Sequence, residues 1–127
     1  MINRLTSTLD FQTEALVLRA ERQRLIASNI ANADTPGYVA RDFDFAQALR
    51  DATGRRSRTG VEGEGGARRP PELQYAAPSQ TNLDGNTVDM DRERAAFVEN
   101  SVKYESTLRF INGSVRTMLD AMKSHNQ

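Results

Sequence analysis

The hydrophobic positions in the last third of the chain recur with almost unbroken 4,3 spacing: Phe97, Tyr104, Leu108, Ile111, Val115, Met118 and Met122, with Ser101 filling the one gap. A narrow stripe that returns about every 3.5 residues predicts a helix lying along other helices. From about Met90 to Met122 that helix spans roughly 50 Å and has one stripe to bury. A helix draws most of its stability from packing its apolar face, so this one needs at least one helical neighbour.

The opening 33 residues predict a second long helix. Ile2, Leu5, Leu9, Leu16, Ile26 and Ile30 fall on heptad-like spacing, with good helix formers between them. Gln12, Arg19 and Gln23 stand where a strict two-stranded coil wants apolar residues. Either the stripe faces several neighbours and is partly wet, or the segment is an ordinary amphipathic helix.

Thr35-Pro36-Gly37-Tyr38 stops that helix, because Pro36 drives Thr35 into an extended conformation and Gly37 suits the positive φ of a type II turn. Asn29 and Asn32, three apart on the last helical turn, can satisfy backbone groups around it. Asp44 then caps a short helix that carries Phe45 and Leu49 on one face and ends near Gly54. Residues 54–71 are rich in Gly, Arg and Pro and read as a linker or exposed loop. A short extended piece around Leu73 and Tyr75 holds the small β content expected. Asp84-Gly85-Asn86 signals a turn, and Asp89 caps the long C-terminal helix, whose first turn carries Asp91 and Glu93. Gly113 inside that helix marks a close neighbour or a bend. The fold class expected is mainly α, with long N- and C-terminal helices forming a coiled-coil or bundle core around an irregular middle.

Composition narrows the functional classes. Seventeen basic and seventeen acidic side chains cancel, which removes the overall field that would draw nucleic acid or anionic lipid. The arginines at 55, 56, 58, 68 and 69 have no aromatic residue among them for base stacking, and Glu62 and Glu64 interrupt the charge; the bland reading is a solvated loop, the sharper one a phosphate or acidic contact. There is no cysteine, so disulfides and thiolate chemistry are excluded. The longest apolar run, Ala15 to Leu18, is far short of the roughly 20 residues of a membrane span, and no apolar core with a cleavage site opens the chain, which reads as soluble and unprocessed. The single histidine, His125, stands near the C-terminus, leaving nothing for a catalytic triad or a histidine metal cluster. No catalytic, cofactor or metal site is expected.

Two segments carry a resemblance: Ala27-Ser28-Asn29-Ile30-Ala31-Asn32-Ala33-Asp34-Thr35-Pro36-Gly37-Tyr38, and Asp84-Gly85-Asn86-Thr87-Val88-Asp89-Met90-Asp91-Arg92-Glu93. The first resembles the motif of bacterial flagellar rod, hook and hook-filament junction proteins. Both together, with Ala40-Arg41-Asp42-Phe43-Asp44-Phe45 between them, resemble the proximal rod members of that family, over residues 1–50 and 82–123.

The resemblance implies an N-terminal axial helix over 1–33, a turn, short helix and outer loop over 34–83, and a C-terminal axial helix with its capping turn over 84–127. It implies packing of the two axial helices as a coiled coil at the inner wall of a tube. It further implies export by the flagellar type III apparatus without a cleaved signal and assembly across the periplasm with itself, with the rod proteins FlgC, FlgF and FlgG, and with FliE and the MS-ring base. Phe45 and Leu49 fit an aromatic-then-aliphatic export recognition pair of that family, and serve equally well as the buried face of a short helix. Two other readings are a distal axial or junction protein, which usually has larger outer domains, and a freestanding helical hairpin whose arginine loop grips an acidic partner.

Overall fold

The computed structural model describes residues 2–59, 70–75 and 82–125. Most of the Gly/Arg-rich loop, including Arg68 and Arg69, lies outside them. In chain order the elements are α1 (Ile2–Ala31), β1 (Arg41–Asp42), α2 (Phe45–Thr59), β2 (Gln74–Tyr75) and α3 (Met90–His125). α1 and α3 run antiparallel as a long pair, α2 packs on α1, and β1 pairs antiparallel with β2 through Arg41 opposite Tyr75 and Asp42 opposite Gln74. The mainly helical class is the one the hydrophobic pattern predicts.

The turn after α1 has the expected chemistry. Tyr38 N–H donates to Thr35 O at 3.2 Å, and Gly37 takes φ +72° at the third position of a type II turn. A side chain there would be strained, which is why this position favours glycine. At the start of α2, Asp44 accepts Gln47 N–H at 3.0 Å, and at the start of α3, Asp89 accepts Arg92 N–H at 3.2 Å. Both are N-caps that satisfy donors left over by the helix.

Three expectations need correction. α2 does not end near Gly54 but continues to Thr59. Glycine in a helix interior costs only about 1 kcal/mol and stops a helix chiefly by adopting a positive φ, which Gly54 does not do. The β content is not confined to the region of Leu73 and Tyr75, because its partner strand is Arg41–Asp42, directly after the turn.

The apolar seam of α3 is also rotated from the line that its hydrophobic residues trace. Glu93 and Asn100 are buried, and Tyr104, Thr107, Ile111, Ser114 and Met118 are half-buried. Leu108, Val115 and Met122 are instead 37%, 41% and 67% exposed. Asn100 turned inward, rather than Ser101 alone, sets this rotation, since its amide finds partners on α1 that a leucine could not use.

The core sits toward one end of the helix pair. Ala15, Leu18, Ile26, Ala40, Phe43 and Val88 are its buried apolar residues, joined by Asn29, Asn86, Glu93 and Asn100. At the opposite end Leu5 is exposed, as are Val115, Leu119 and Met122.

Candidate functional site: an asparagine clasp and two open helix faces

The buried end is organised by two asparagines. Asn86 is fully buried, and its Nδ2 donates to the carbonyls of Asn32 (2.9 Å), Ala33 (2.9 Å) and Thr35 (2.7 Å). Two amide hydrogens serve three acceptors, so one is shared. Its Oδ1 accepts Val88 N–H at 2.8 Å, and its own N–H donates to Asp84 Oδ1 at 3.1 Å. One side chain thereby joins the turn after α1 to the segment that enters α3.

Backbone bonds reinforce the junction. Gly37 N–H donates to Asp84 O at 2.9 Å, and Thr87 N–H donates to Tyr38 O at 3.0 Å. The two turns touch where Gly85, at φ +80°, brings its Cβ position to 3.6 Å from Gly37 Cα. Sequence reading assigned Asp84, Gly85 and Asn86 to a turn; the fold uses Asn86 as a tie across more than 50 residues of chain.

Asn29 works in the same manner on β1. Its Oδ1 accepts Arg41 N–H at 3.1 Å and its Nδ2 donates to Arg41 O at 2.8 Å, so the amide pairs with one residue's backbone as a neighbouring strand would. Tyr38 Oη donates to the same Oδ1 at 3.2 Å. Asn32 stays local: its Nδ2 donates to Ser28 O at 2.8 Å and its Oδ1 accepts from Thr35 Oγ1 at 3.1 Å. Pro36 is exposed in the turn.

Charge is placed beside this clasp. Asn29 Nδ2 also donates to Glu93 Oε1 at 3.2 Å, and burial raises the Glu93 pKa above its ordinary value despite that bond. The carboxylate of Asp42 nearby raises it further, while Arg92 and Arg22 pull it down. Arg22 holds Asp42 through a two-pronged pair, Nε to Oδ1 at 3.2 Å and Nη2 to Oδ2 at 3.1 Å. Glu93 was read from sequence as helix capping alone, but it also turns into the core.

Polar residues continue along the α1/α3 contact. Asn100 Nδ2 donates to Arg19 O at 2.9 Å and to Gln23 Oε1 at 2.7 Å, and Gln23 Nε2 donates to Ser101 Oγ at 2.7 Å. Arg19 lies 4.2 Å over the Phe45 ring, where burial, and then Arg22, lower its pKa. Leu49 is half-buried on the same helix as Phe45. A buried asparagine in a helix seam can fix register. Its only sequence signal was its place seven residues after Glu93, which the apolar count passed over.

Beyond this network the helix pair opens. Of the seam residues on α1, Ile26 is buried, Leu9, Leu16 and Ile30 are half-buried, and Leu5 is exposed. Toward the far end lies an apolar cleft of about 430 Å³ lined by Leu5, Leu9, Phe110, Gly113 and Met118 among others. Among the described residues, leaving aside its own helix backbone, nothing comes within 4 Å of a Cβ placed on Gly113, so none of them requires glycine there. On the other side of α3, Phe97, Leu108, Val115 and Leu119 are exposed. Exposed apolar surfaces of this kind mark places where other helices can pack. No group of acidic, histidine or cysteine side chains among the described residues could hold a metal ion, and no helix among them is long and apolar enough to cross a membrane.

The family model described as "Flagella basal body rod protein" matches residues 9–38, the stretch that supplies Asn29, Asn32 and the turn. The flagellar basal body rod protein FlgB of Escherichia coli K12 is 48% identical over 99% of this chain and 100% of its own length. FlgB of Proteus mirabilis HI4320 is 46% identical over 97% and 98%, and that of Salmonella typhimurium LT2 is 44% identical over 99% and 100%. With similarity running through both long helices and both halves of the clasp, the chain belongs to the FlgB family of flagellar basal body rod proteins.

Proposed function

We propose that this chain is a structural subunit of the proximal rod, the part of the hollow flagellar drive shaft nearest the MS-ring base. The observation that carries this reading is the apolar side of α3, where Leu108, Val115, Leu119 and Met122 stand exposed in a single copy. Exposed apolar stripes of this length are stable only when neighbouring helices cover them. In this reading α1 and α3 lie in the tube wall, and the Pro36-Gly37 turn directs the middle region outward. Similarity that spans the whole length of FlgB relatives supports the proximal rod over a distal rod or junction protein with larger outer domains.

The neighbours in this proposal are other copies, FlgC, FlgF and FlgG, with FliE and the MS-ring at the base, after passage through the type III apparatus into the periplasm. The subunit has no catalytic role in this account; its only histidine, His125, is exposed in the last turn of α3. Leu108→Asp tests the assignment. Leu108 is already 37% exposed, so the substitution leaves the single chain folded and synthesised while stopping rod formation and motility. Motile cells carrying Leu108→Asp as their only copy contradict it.

A further inference from the structure

We infer that Asp84 is a site of spontaneous isoaspartyl modification, and that the asparagine clasp is what holds the reaction in check.

The sequence contains two pairs in which glycine follows an aspartate or asparagine, Asp84-Gly85 and Asn112-Gly113. In such a pair the glycine nitrogen can attack the side-chain carbonyl carbon before it, because glycine has no side chain to screen that nitrogen. At Asp84 a bond forms between Cγ and Gly85 N, the carboxyl hydroxyl leaves as water with the amide proton, and a five-membered imide results. Water then adds back at either carbonyl. Addition at the original peptide carbon breaks its bond to nitrogen, so the chain now runs through Cγ and a free α-carboxylate stands where the peptide carbonyl was. One water leaves and one returns, and nothing is oxidised or reduced.

The fold separates the two pairs. Asn112 lies in the interior of α3, where the helical backbone turns its side-chain carbonyl away from the following nitrogen and commits the Gly113 N–H to the helical hydrogen-bond series. Asp84 is exposed, in a turn outside any helix or strand. No bulkier residue can replace Gly85 to shield the nitrogen without strain, because its φ is +80°. The turn therefore requires the susceptible pair.

What opposes the reaction is the clasp. Asp84 Oδ1 accepts Asn86 N–H at 3.1 Å, Asp84 O accepts Gly37 N–H at 2.9 Å, and the attacking nitrogen itself donates to Asn82 O at 2.9 Å. Bringing Gly85 N over Asp84 Cγ swings the carboxyl group and turns the peptide between them, which breaks these bonds. Asn86 resists that motion, since its Nδ2 is tied to the carbonyls of Asn32, Ala33 and Thr35. The coupling also runs the other way. An isoaspartyl link adds a methylene to the backbone and displaces the carbonyl that Gly37 binds, so a chain modified while open does not reclose.

The test incubates the purified full-length chain at neutral pH, in buffer and in guanidinium chloride. Isoaspartate is read by methyl transfer from S-adenosylmethionine with isoaspartyl methyltransferase and placed in the chain by electron-transfer mass spectrometry. Conversion at Asp84 should be at least about tenfold slower in buffer than in denaturant, and Asn86→Ala should raise the buffer rate at least about tenfold. Asn112 should stay slow in buffer in both chains and convert only in denaturant, which separates local opening of the clasp from loss of α3. Asp84→Glu, whose imide would need a larger ring, should carry no label at this position. Equal rates in buffer and denaturant for the native chain, no rise in Asn86→Ala, or no isoaspartate at Asp84 in any sample overturns the inference. If Asn86→Ala also exposes Asn112, the native chain in buffer and denaturant decides.

Discussion

Replacing Asn86 with alanine removes the side chain that ties the two halves of the clasp. Four hydrogen bonds go: three from Nδ2 to the carbonyls of Asn32, Ala33 and Thr35, and one from Val88 N–H to Oδ1. At about 1 kcal/mol net per bond the loss is about 4 kcal/mol, and the partners left behind decide whether it rises or falls. Val88 is buried, so its orphaned N–H adds to the cost; Thr35 is exposed, so water can reach its carbonyl and soften it. A local loss of about 3 to 4 kcal/mol follows. Amide hydrogen exchange reads this directly, because it reports local opening whether or not the distant helix ends are covered. At tenfold per 1.4 kcal/mol, exchange at Gly37, Thr87 and Val88 should speed up roughly 100- to 1,000-fold in Asn86→Ala. Asn86→Asp should exceed that, because it aims a buried anionic oxygen at three carbonyl oxygens. If Asn86→Asp protects these amides as well as the native residue does, the amide is not the donor described and the clasp reasoning fails.

Two further outcomes follow from the same contacts. The Glu93 pKa is raised in the folded chain, chiefly by burial, so the folded state holds more protons than the unfolded one between the ordinary carboxylate value and the raised folded value. Stability is therefore greatest in acid and declines as pH rises through that folded value; Glu93→Gln should abolish this slope and protect the clasp better at pH 7, and an unchanged slope in exchange or melting between pH 4 and pH 7 counts against it. Phe45 and Leu49 fit either an export recognition pair or the buried face of a short helix; the export role predicts that secretion of Phe45→Ala by an export-competent strain falls, and normal secretion would leave only the packing role.

How far the fold was legible depended on whether a feature is local. The two long helices follow from spacing alone, since a 3.5-residue repeat admits no other element, and the stop at Pro36-Gly37 follows from φ restrictions within four residues. The caps at Asp44 and Asp89 are likewise set by neighbours three residues away. Glu93 and Asn100 were not legible as core, because a polar side chain is buried only where a distant segment offers it partners. The same limit applies to β1, whose ladder bonds go to residues more than 30 positions away.

The sequence by itself therefore determined the two long helices, the turn at Pro36-Gly37, the caps at Asp44 and Asp89, and the family motif that spans Asn29 to Tyr38. Only the tertiary structure decided which side of α3 turns inward. With the Asn100 amide nitrogen and Glu93 paired against α1, although Asn100 Oδ1 is left buried without a partner, Leu108, Val115 and Met122 stay 37%, 41% and 67% exposed. Burying an unpaired amide or carboxylate costs more than exposing a few methyl groups, so the polar partners fixed the rotation and the greasy residues took what was left.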